Sequence, residues 1–521
     1  MGSETDSRAG TGGTGGLDAV VVGSGPNGLA AALVLASAGL TVQVYEAADT
    51  IGGGTRTEEL TLPGFWHDVC SAVHPMALGS PFFRAFDLAA HGVRLRQPEI
   101  AYAHPLDGGR AALAWRDLDR TADGLGRDGA AWLSLLGPLV RRWKGVVDTA
   151  MSDLRGMPGD PLAALLLGMR TLEQGTPVGA TRFRGEEAAA LMAGVAAHAI
   201  APPRRLAPAG AGLLLATLGH SVGWPIPVGG SRTITDAMVT RLRQLGGRVV
   251  TGVRIDDLAE LPPARAVLLD VSPAGLLRIA GKRLPAGYAR RLRSFRYGGA
   301  ACKVDFALAG PVPWAEPNCA SAGTLHLVGS AAEAQAAETA VLRGRHPDRP
   351  YVLAVQPGVV DPSRAPAGRQ VLWTYAHVPN GSPRDVSGQI VAQVERFAPG
   401  FRDLILATHV VPAARAAAHN PNYVGGDISG GAVTPWQLVM RPVPRWDPYR
   451  TPLPGVYLCS ASTPPGPAVH GMSGLHAAGR ALRHRFGVRT DPLDLLRCPA
   501  GEPVRTVSRP PVEEAEGPKV D

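Results

Sequence analysis

The chain has 521 residues, of which 45% are hydrophobic and 18% charged. That length asks for more than one core, and the composition excludes a disordered or fibrous chain. The net charge of +8 comes from scattered arginines with only 5% aromatics. This argues against a nucleic-acid groove but is compatible with an acidic substrate or with peripheral contact of one face with an anionic membrane.

Residues 1–16 are rich in Gly, Thr and Ser and read as a flexible leader. They lack the basic start and apolar stretch of a secretory signal. The longest apolar runs, such as Leu162–Met169, fall far short of the roughly 20 residues that cross a bilayer. A cytoplasmic protein is expected. Cys70, Cys302, Cys319, Cys459 and Cys498 form no Cys-x-x-Cys pair, so free thiols are expected and no zinc ribbon. No spacing of His, Asp and Glu points to a metal.

The first structured segment is the most informative. Asp18–Gly23 is a short β-branched apolar run, predicting a buried strand. The turn Gly23-Ser24-Gly25-Pro26-Asn27-Gly28 follows. Then comes an Ala/Leu-rich helix, Leu29–Ala38, closed by Gly39, and a second strand, Leu40–Tyr45, ending at Glu46. This is a β-α-β unit with a G-x-G-x-x-G turn. In it, Gly23 permits the sharp turn, Gly25 lets backbone approach a pyrophosphate, and Gly28 lets the helix pack closely. The pyrophosphate is expected on the helix N-terminus. Glu46 is placed to bind a ribose, and its charge disfavours a 2′-phosphate. A second Gly cluster, Gly52-Gly53-Gly54-Thr55-Arg56, follows Glu46-Ala47 after four residues. NAD does not need it, whereas the longer FAD would use its amides and Arg56 along the ribityl-phosphate half. No second dinucleotide turn is found, so electrons are expected to pass directly between flavin, substrate and an acceptor such as oxygen or a quinone.

From Pro75 to Trp224 the spacing turns helical, with Trp132, Leu133, Leu135, Leu136, Leu139 and Val140 as one stripe. Helix Ser231–Leu245 and strands Arg248–Val253 and Ala266–Val271 return to α/β character. The apolar runs Cys302–Leu308, Thr324–Val328, Tyr351–Gln356 and Val371–His377 predict a mixed sheet roofing a cavity, crossed by helix Val386–Phe397. The expected architecture is α/β. A discontinuous Rossmann-type FAD-binding domain (17–74, 226–299, 441–488) carries a helical insert (75–225) and a mixed-sheet substrate domain (300–440), and a flexible tail (489–521) closes the chain.

Several motifs in one order resemble the phytoene desaturase-like superfamily of FAD enzymes. They are the turn above, Thr57-Glu58-Glu59-Leu60 with Leu62-Pro63-Gly64-Phe65, Gly223-Trp224-Pro225 leading to Val228-Gly229-Gly230-Ser231, Glu395–Phe401, and Leu458–Gly466 running to Val469-His470-Gly471-Met472-Ser473-Gly474. The resemblance covers about 17–487. It implies that Val253 clamps the adenine and that Ser272 approaches the ADP half. It also implies that Ala461, Ser462, Gly471 and Met472 bring backbone to the pyrophosphate and isoalloxazine, with helix Gly474–Arg485 aimed at the ring. Relatives often carry Arg where Gly54 stands, and Gly where Ser460 and Pro467 stand.

The expected chemistry is hydride transfer at a carbon–carbon unit, desaturation or saturation, of an apolar small molecule such as an isoprenoid. His470 is the candidate catalytic residue. His74, Trp224, Trp436 and Arg441 are candidates for contact with substrate. A flavin thioether at Cys459 is weighed against a plain buried thiol. Competing readings are a flavin amine oxidase, a flavin-assisted isomerase without net redox, and a flavin-binding interaction protein without turnover.

Overall fold

The computed structural model describes residues 16–153 and 156–497. Most of the expected leader, the tail from 498 onward and Cys498 lie outside the described residues.

Two sheets organise the chain. The first has five parallel strands in the spatial order Val456–Leu458, Ala264–Leu269, Leu17–Val22, Val42–Tyr45 and Arg248–Val250. Its strands come from three distant stretches of chain. The Leu17–Val22 strand is central, and its inner residues are completely buried, as a strand covered on both faces must be. Helix Pro26–Ser37 starts three residues earlier than the spacing predicts, because Pro26 fits the first helical turn, where no N–H is needed. Helix Met472–Ala481 lies against it. The fold is therefore α/β with a Rossmann-like parallel sheet.

The second sheet is mixed. Its order is Ile405–Val411, Ala300–Leu308, Gln370–Val378, Val352–Val355, Ala322–Leu327, Ile100–Leu106 and Arg110–Trp115. All neighbours are antiparallel except Ala322–Leu327 beside Ile100–Leu106. The last two strands lie within 75–225, the stretch expected to be a helical insert. Ile100–Leu106 is buried along its whole length, so it shows no alternation, and its Ala and Pro content hides it further. The rest of that stretch is largely helical, with Gly129–Arg141, Pro161–Gln174, Glu186–Ala196 and Leu206–Ser221 as its main helices.

The expected flexible tail from 489 is also corrected. Pro492–Arg497 is a helix seated against Pro26–Ser37 and Pro81–Phe86, and Leu495 is buried in the main core. One leucine so placed anchors the segment through the apolar area it removes from water.

Candidate dinucleotide site and adjoining cavity

The cleft forms where the parallel strands end. Gly23 has φ +102°, and a β-carbon there would sit 3.0 Å from the Asp270 carbonyl oxygen. At Gly28 a β-carbon would lie 2.1 Å from the Gly23 carbonyl oxygen, so helix and turn touch through bare backbone. Ser24 is completely buried, and its N–H and hydroxyl both donate to Glu46, at 2.9 and 2.6 Å. The other Glu46 oxygen accepts from Ala48 N–H at 2.9 Å. Glu46 thus ties the two strand ends together and still faces the cleft.

Gly23, Gly25, Pro26, Asn27, Glu46, Ala47, Gly53, Gly54, Thr55, Arg56, Val253, Ser272, Ala461 and Ser462 all line this one cleft. Ser24 and Gly28 stand behind it as supports. The Ser272 hydroxyl also caps helix Pro273–Ala280 by accepting from Gly275 N–H. Arg56 donates to the His419 carbonyl at 3.1 Å, while its Nε, like Asn27 Oδ1, is buried without a partner. Such groups are costly to bury unpaired and are suited to a polar ligand. At Gly54 a side chain would collide with the Tyr423 hydroxyl, which lies 2.2 Å from where a β-carbon would sit.

Two neighbours of the cleft carry no motif. The loop Ala418–Tyr423 closes its side, with Asn422 accepting from Ser272 N–H at 2.8 Å and donating to the Asp270 carbonyl at 3.0 Å. Its run of Asn and Pro is a turn signal, but nothing in the sequence says which site the turn borders. Asp270 ends the Ala264–Leu269 strand and accepts from Gly28 N–H at 3.0 Å. Burial pushes its pKa up to about 7, the Gly28 N–H works against this, and the Glu46 charge adds to it.

Behind the cleft lies a cavity of about 570 Å³, within the usual size range of small-molecule sites. Cys70, Ser71, Ile428, Ala468 and Val469 belong to both walls, so cleft and cavity meet there. No Asp, Glu, Lys or Arg lines the cavity among the described residues. His74 and Trp224, two of the candidates for contact with substrate, line it. Trp224 donates to Thr324 at 3.0 Å.

Other expectations need correction. Trp436 is 67% exposed, because Pro435, Leu438 and Val439 take the cavity face of its short helix. Arg441 is fully buried but donates to the Ala461 carbonyl at 2.8 Å, holding the cleft loop rather than facing substrate. His470 borders the cavity, yet both its ring nitrogens are committed. Nδ1 accepts from Met472 N–H and Nε2 faces the Gly466 carbonyl, each at 3.0 Å. Burial lowers its pKa to about 4. A ring so engaged has no nitrogen left for a substrate proton, and its role is to brace the loop. Gly471 and Met472 do not line the cleft. Gly471 packs on Phe82, with a β-carbon there 2.5 Å from the ring, and this docks the helix start inward. Cys459 is completely buried and outside both walls, and burial raises its thiol pKa.

The turn, the Glu46 carboxylate at the second strand end and the parallel sheet around them are the features of a dinucleotide site. Residues 21–89 match the NAD(P)-binding Rossmann-like domain family. Over 89% of its length the chain is 26% identical to 93% of a mouse protein, pyridine nucleotide-disulfide oxidoreductase domain-containing protein 2. The fold is similar to that of an oxidoreductase from Methanosarcina mazei, with a TM-score of 0.56 and 16% identity, covering 90% of this chain and all of that one. It is similar also to cyclohexylamine oxidase from Brevibacterium oxydans, with a TM-score of 0.55 and 15% identity, covering 90% and 98%. The residues present fit FAD. The cleft offers the turn amides, the acceptor Glu46, the unpaired Arg56 Nε and Asn27 Oδ1, and a second Gly-rich wall toward the cavity.

Proposed function

We propose that this chain is an FAD-dependent oxidoreductase that transfers hydride at a carbon–carbon unit of an uncharged, apolar small molecule. The observation that carries this reading is the opening of the cleft into a cavity lined, among the described residues, by no Asp, Glu, Lys or Arg. A bound isoalloxazine supplies the hydride acceptor or donor. The chain's own part is to hold the pyrophosphate on the Gly23–Gly28 turn, to seat the substrate among Val73, Met76, Leu214 and Trp224, and to keep water out. An ammonium ion would find no carboxylate there, and burying it unpaired is costly. This favours the carbon–carbon reading over amine oxidation. Oxygen or a quinone is the proposed electron acceptor.

The test uses purified protein. We expect a flavin absorption spectrum, FAD released on denaturation, and bleaching under anaerobic conditions by an extract of apolar metabolites. Hydrogen peroxide release with cyclohexylamine and no bleaching by the apolar fraction would favour the amine oxidase reading. Folded protein that takes up no FAD would end the proposal.

Peripheral membrane contact belongs to the same reading. Leu162, Leu165, Met169 and Leu172 expose one face of helix Pro161–Gln174, whose Leu167 and Thr171 line the cavity. The neighbouring segment carries Arg141, Arg142 and Lys144 around Trp143. Among the described residues no helix is long and apolar enough to cross a membrane. Apolar anchors beside basic residues suit an anionic bilayer surface. We expect co-sedimentation with phosphatidylglycerol vesicles, lost at least several-fold in the double variant Leu165→Glu, Leu172→Glu.

A further inference from the structure

The inner end of the cavity is backed by three histidines that neither the motifs nor the cleft accounts for. His198 lines the cavity, and its Nε2 lies 2.9 Å from Nε2 of His326. His326 is completely buried and faces His104, also completely buried, with ring centroids 6.1 Å apart. The Nδ1 atoms of His104 and His326 converge on one spot above Gly194, where a β-carbon would sit 2.4 Å from the first and 2.7 Å from the second. Neither Nδ1 has a hydrogen-bond partner in the protein. At the far end, His104 Nε2 lies 2.6 Å from the Gly329 carbonyl oxygen.

That carbonyl fixes the hydrogen of His104. A carbonyl oxygen only accepts, so His104 carries its hydrogen on Nε2 and its Nδ1 is a bare lone pair. The two Nδ1 atoms share no hydrogen bond, and a hydrogen on Nδ1 of His326 avoids turning two lone pairs onto the same spot above Gly194; in that tautomer His326 Nε2 is bare. In that tautomer His198 donates from Nε2 and keeps its own Nδ1 as an acceptor. Burial keeps the row neutral: His104 falls to about 4, His198 to about 3 and His326 well below its ordinary value. His74, on the cavity wall, carries its hydrogen on Nε2. Its Nε2 lies 2.7 Å from the Ser231 hydroxyl, which itself donates to the Ser71 carbonyl at 2.7 Å.

We propose that His198 Nδ1 is a specificity-determining hydrogen-bond acceptor for a hydroxyl group on an otherwise apolar substrate. This rests on the reading of the cavity as the substrate chamber. A hydroxyl brings the donor that a bare imidazole nitrogen requires and, unlike an ammonium, no charge that the walls would leave unpaired. His326 and His104 are positioning residues, acting by holding the His198 tautomer.

Two measurements test this without relying on turnover. In the protein labelled with 15N-histidine, we expect His198 to show an imine-type Nδ1 and a pyrrole-type Nε2. We expect His104→Phe to mix the two tautomers. A pyrrole-type Nδ1 in the native protein would overturn the proposal. In the second, 1-decanol and decyl methyl ether are titrated against the tryptophan fluorescence of the protein as purified, since Trp224 and Trp373 line the cavity. We expect the alcohol to bind about fivefold tighter than the ether, the value of one hydrogen bond. His198→Phe should equalise the two and His198→Gln, which keeps an acceptor, should restore the preference. Equal binding to the native protein would sink the assignment. Colourless protein that still prefers the alcohol would fault the flavin reading and leave this one standing, while failure of both probes to bind would overturn the chamber itself.

Discussion

Asp270→Asn should make FAD affinity independent of pH between 6 and 9, where the native protein should lose affinity as the pH rises. Asp270 stands against the Gly-rich turn, accepting from Gly28 N–H, and would lie 2.8 Å from a β-carbon at Gly25. Burial raises its pKa from 3.8 to about 7. Below pH 7 it is neutral and the turn presents its amides to the pyrophosphate without opposition. Above pH 7 it ionises in the cofactor-free protein, and an anion then stands beside the site meant for another anion. The bound pyrophosphate raises the pKa further, and each unit of that rise weakens FAD binding about tenfold at high pH. Fluorescence titration of apoprotein with FAD at pH 6 and pH 9 measures this directly.

The same residue governs stability with a definite sign. An acid whose folded pKa lies above its unfolded value binds its proton more tightly when folded. Native stability therefore falls as the pH rises from about 3.8 to about 7 and is level beyond. The integrated loss is at most about 4 kcal/mol. Asn keeps an oxygen for Gly28 N–H and has no proton to lose, so the variant should melt at a higher temperature than the native protein at pH 8. Equal melting temperatures at pH 8 would show that the carboxyl is already ionised without cost.

The second large effect is expected at Gly474. A β-carbon there would lie 2.0 Å from the Asn27 carbonyl oxygen and 2.8 Å from the Ala31 amide nitrogen, both backbone atoms of helix Pro26–Ser37. No rotamer relieves a clash with backbone, so Gly474→Ala must push the two helices apart. Overpacking of this kind costs about 3 kcal/mol or more. The displaced helix start carries Pro26 and Asn27, both on the cleft wall, so FAD should be lost along with stability. Gly287→Ala is the matched control: it lies in helix Ala286–Arg293 with nothing within 4 Å of the added carbon. That change should be neutral or slightly stabilising, by up to about 1 kcal/mol. Thermal melts and FAD content of the two variants decide the matter.

What was legible in the sequence was local. The β-α-β unit, its Gly turn and Glu46 are set by near neighbours: β-branched runs, an Ala/Leu-rich helix, and Gly where positive φ or bare backbone is required. Arg56 could be placed on the cleft because it follows that unit directly. Strand Ile100–Leu106 was not legible, since a fully buried strand of mixed composition has no period to detect. The sequence places His470 in the loop expected to border the isoalloxazine, whereas two backbone partners brought by the folded loop occupy both nitrogens.

The sequence by itself determined a dinucleotide turn and the acid that serves it, since these follow from backbone geometry over a few dozen residues. Tertiary structure alone decided the character of the chamber. His104, His198 and His326 meet there from segments that share no local signal, the raised pKa of Asp270 comes from burial under the turn, and the absence of charge along the cavity is a property of walls drawn from most of the chain. Burial and long-range pairing fix protonation and polarity, and neither is written in any short run of residues.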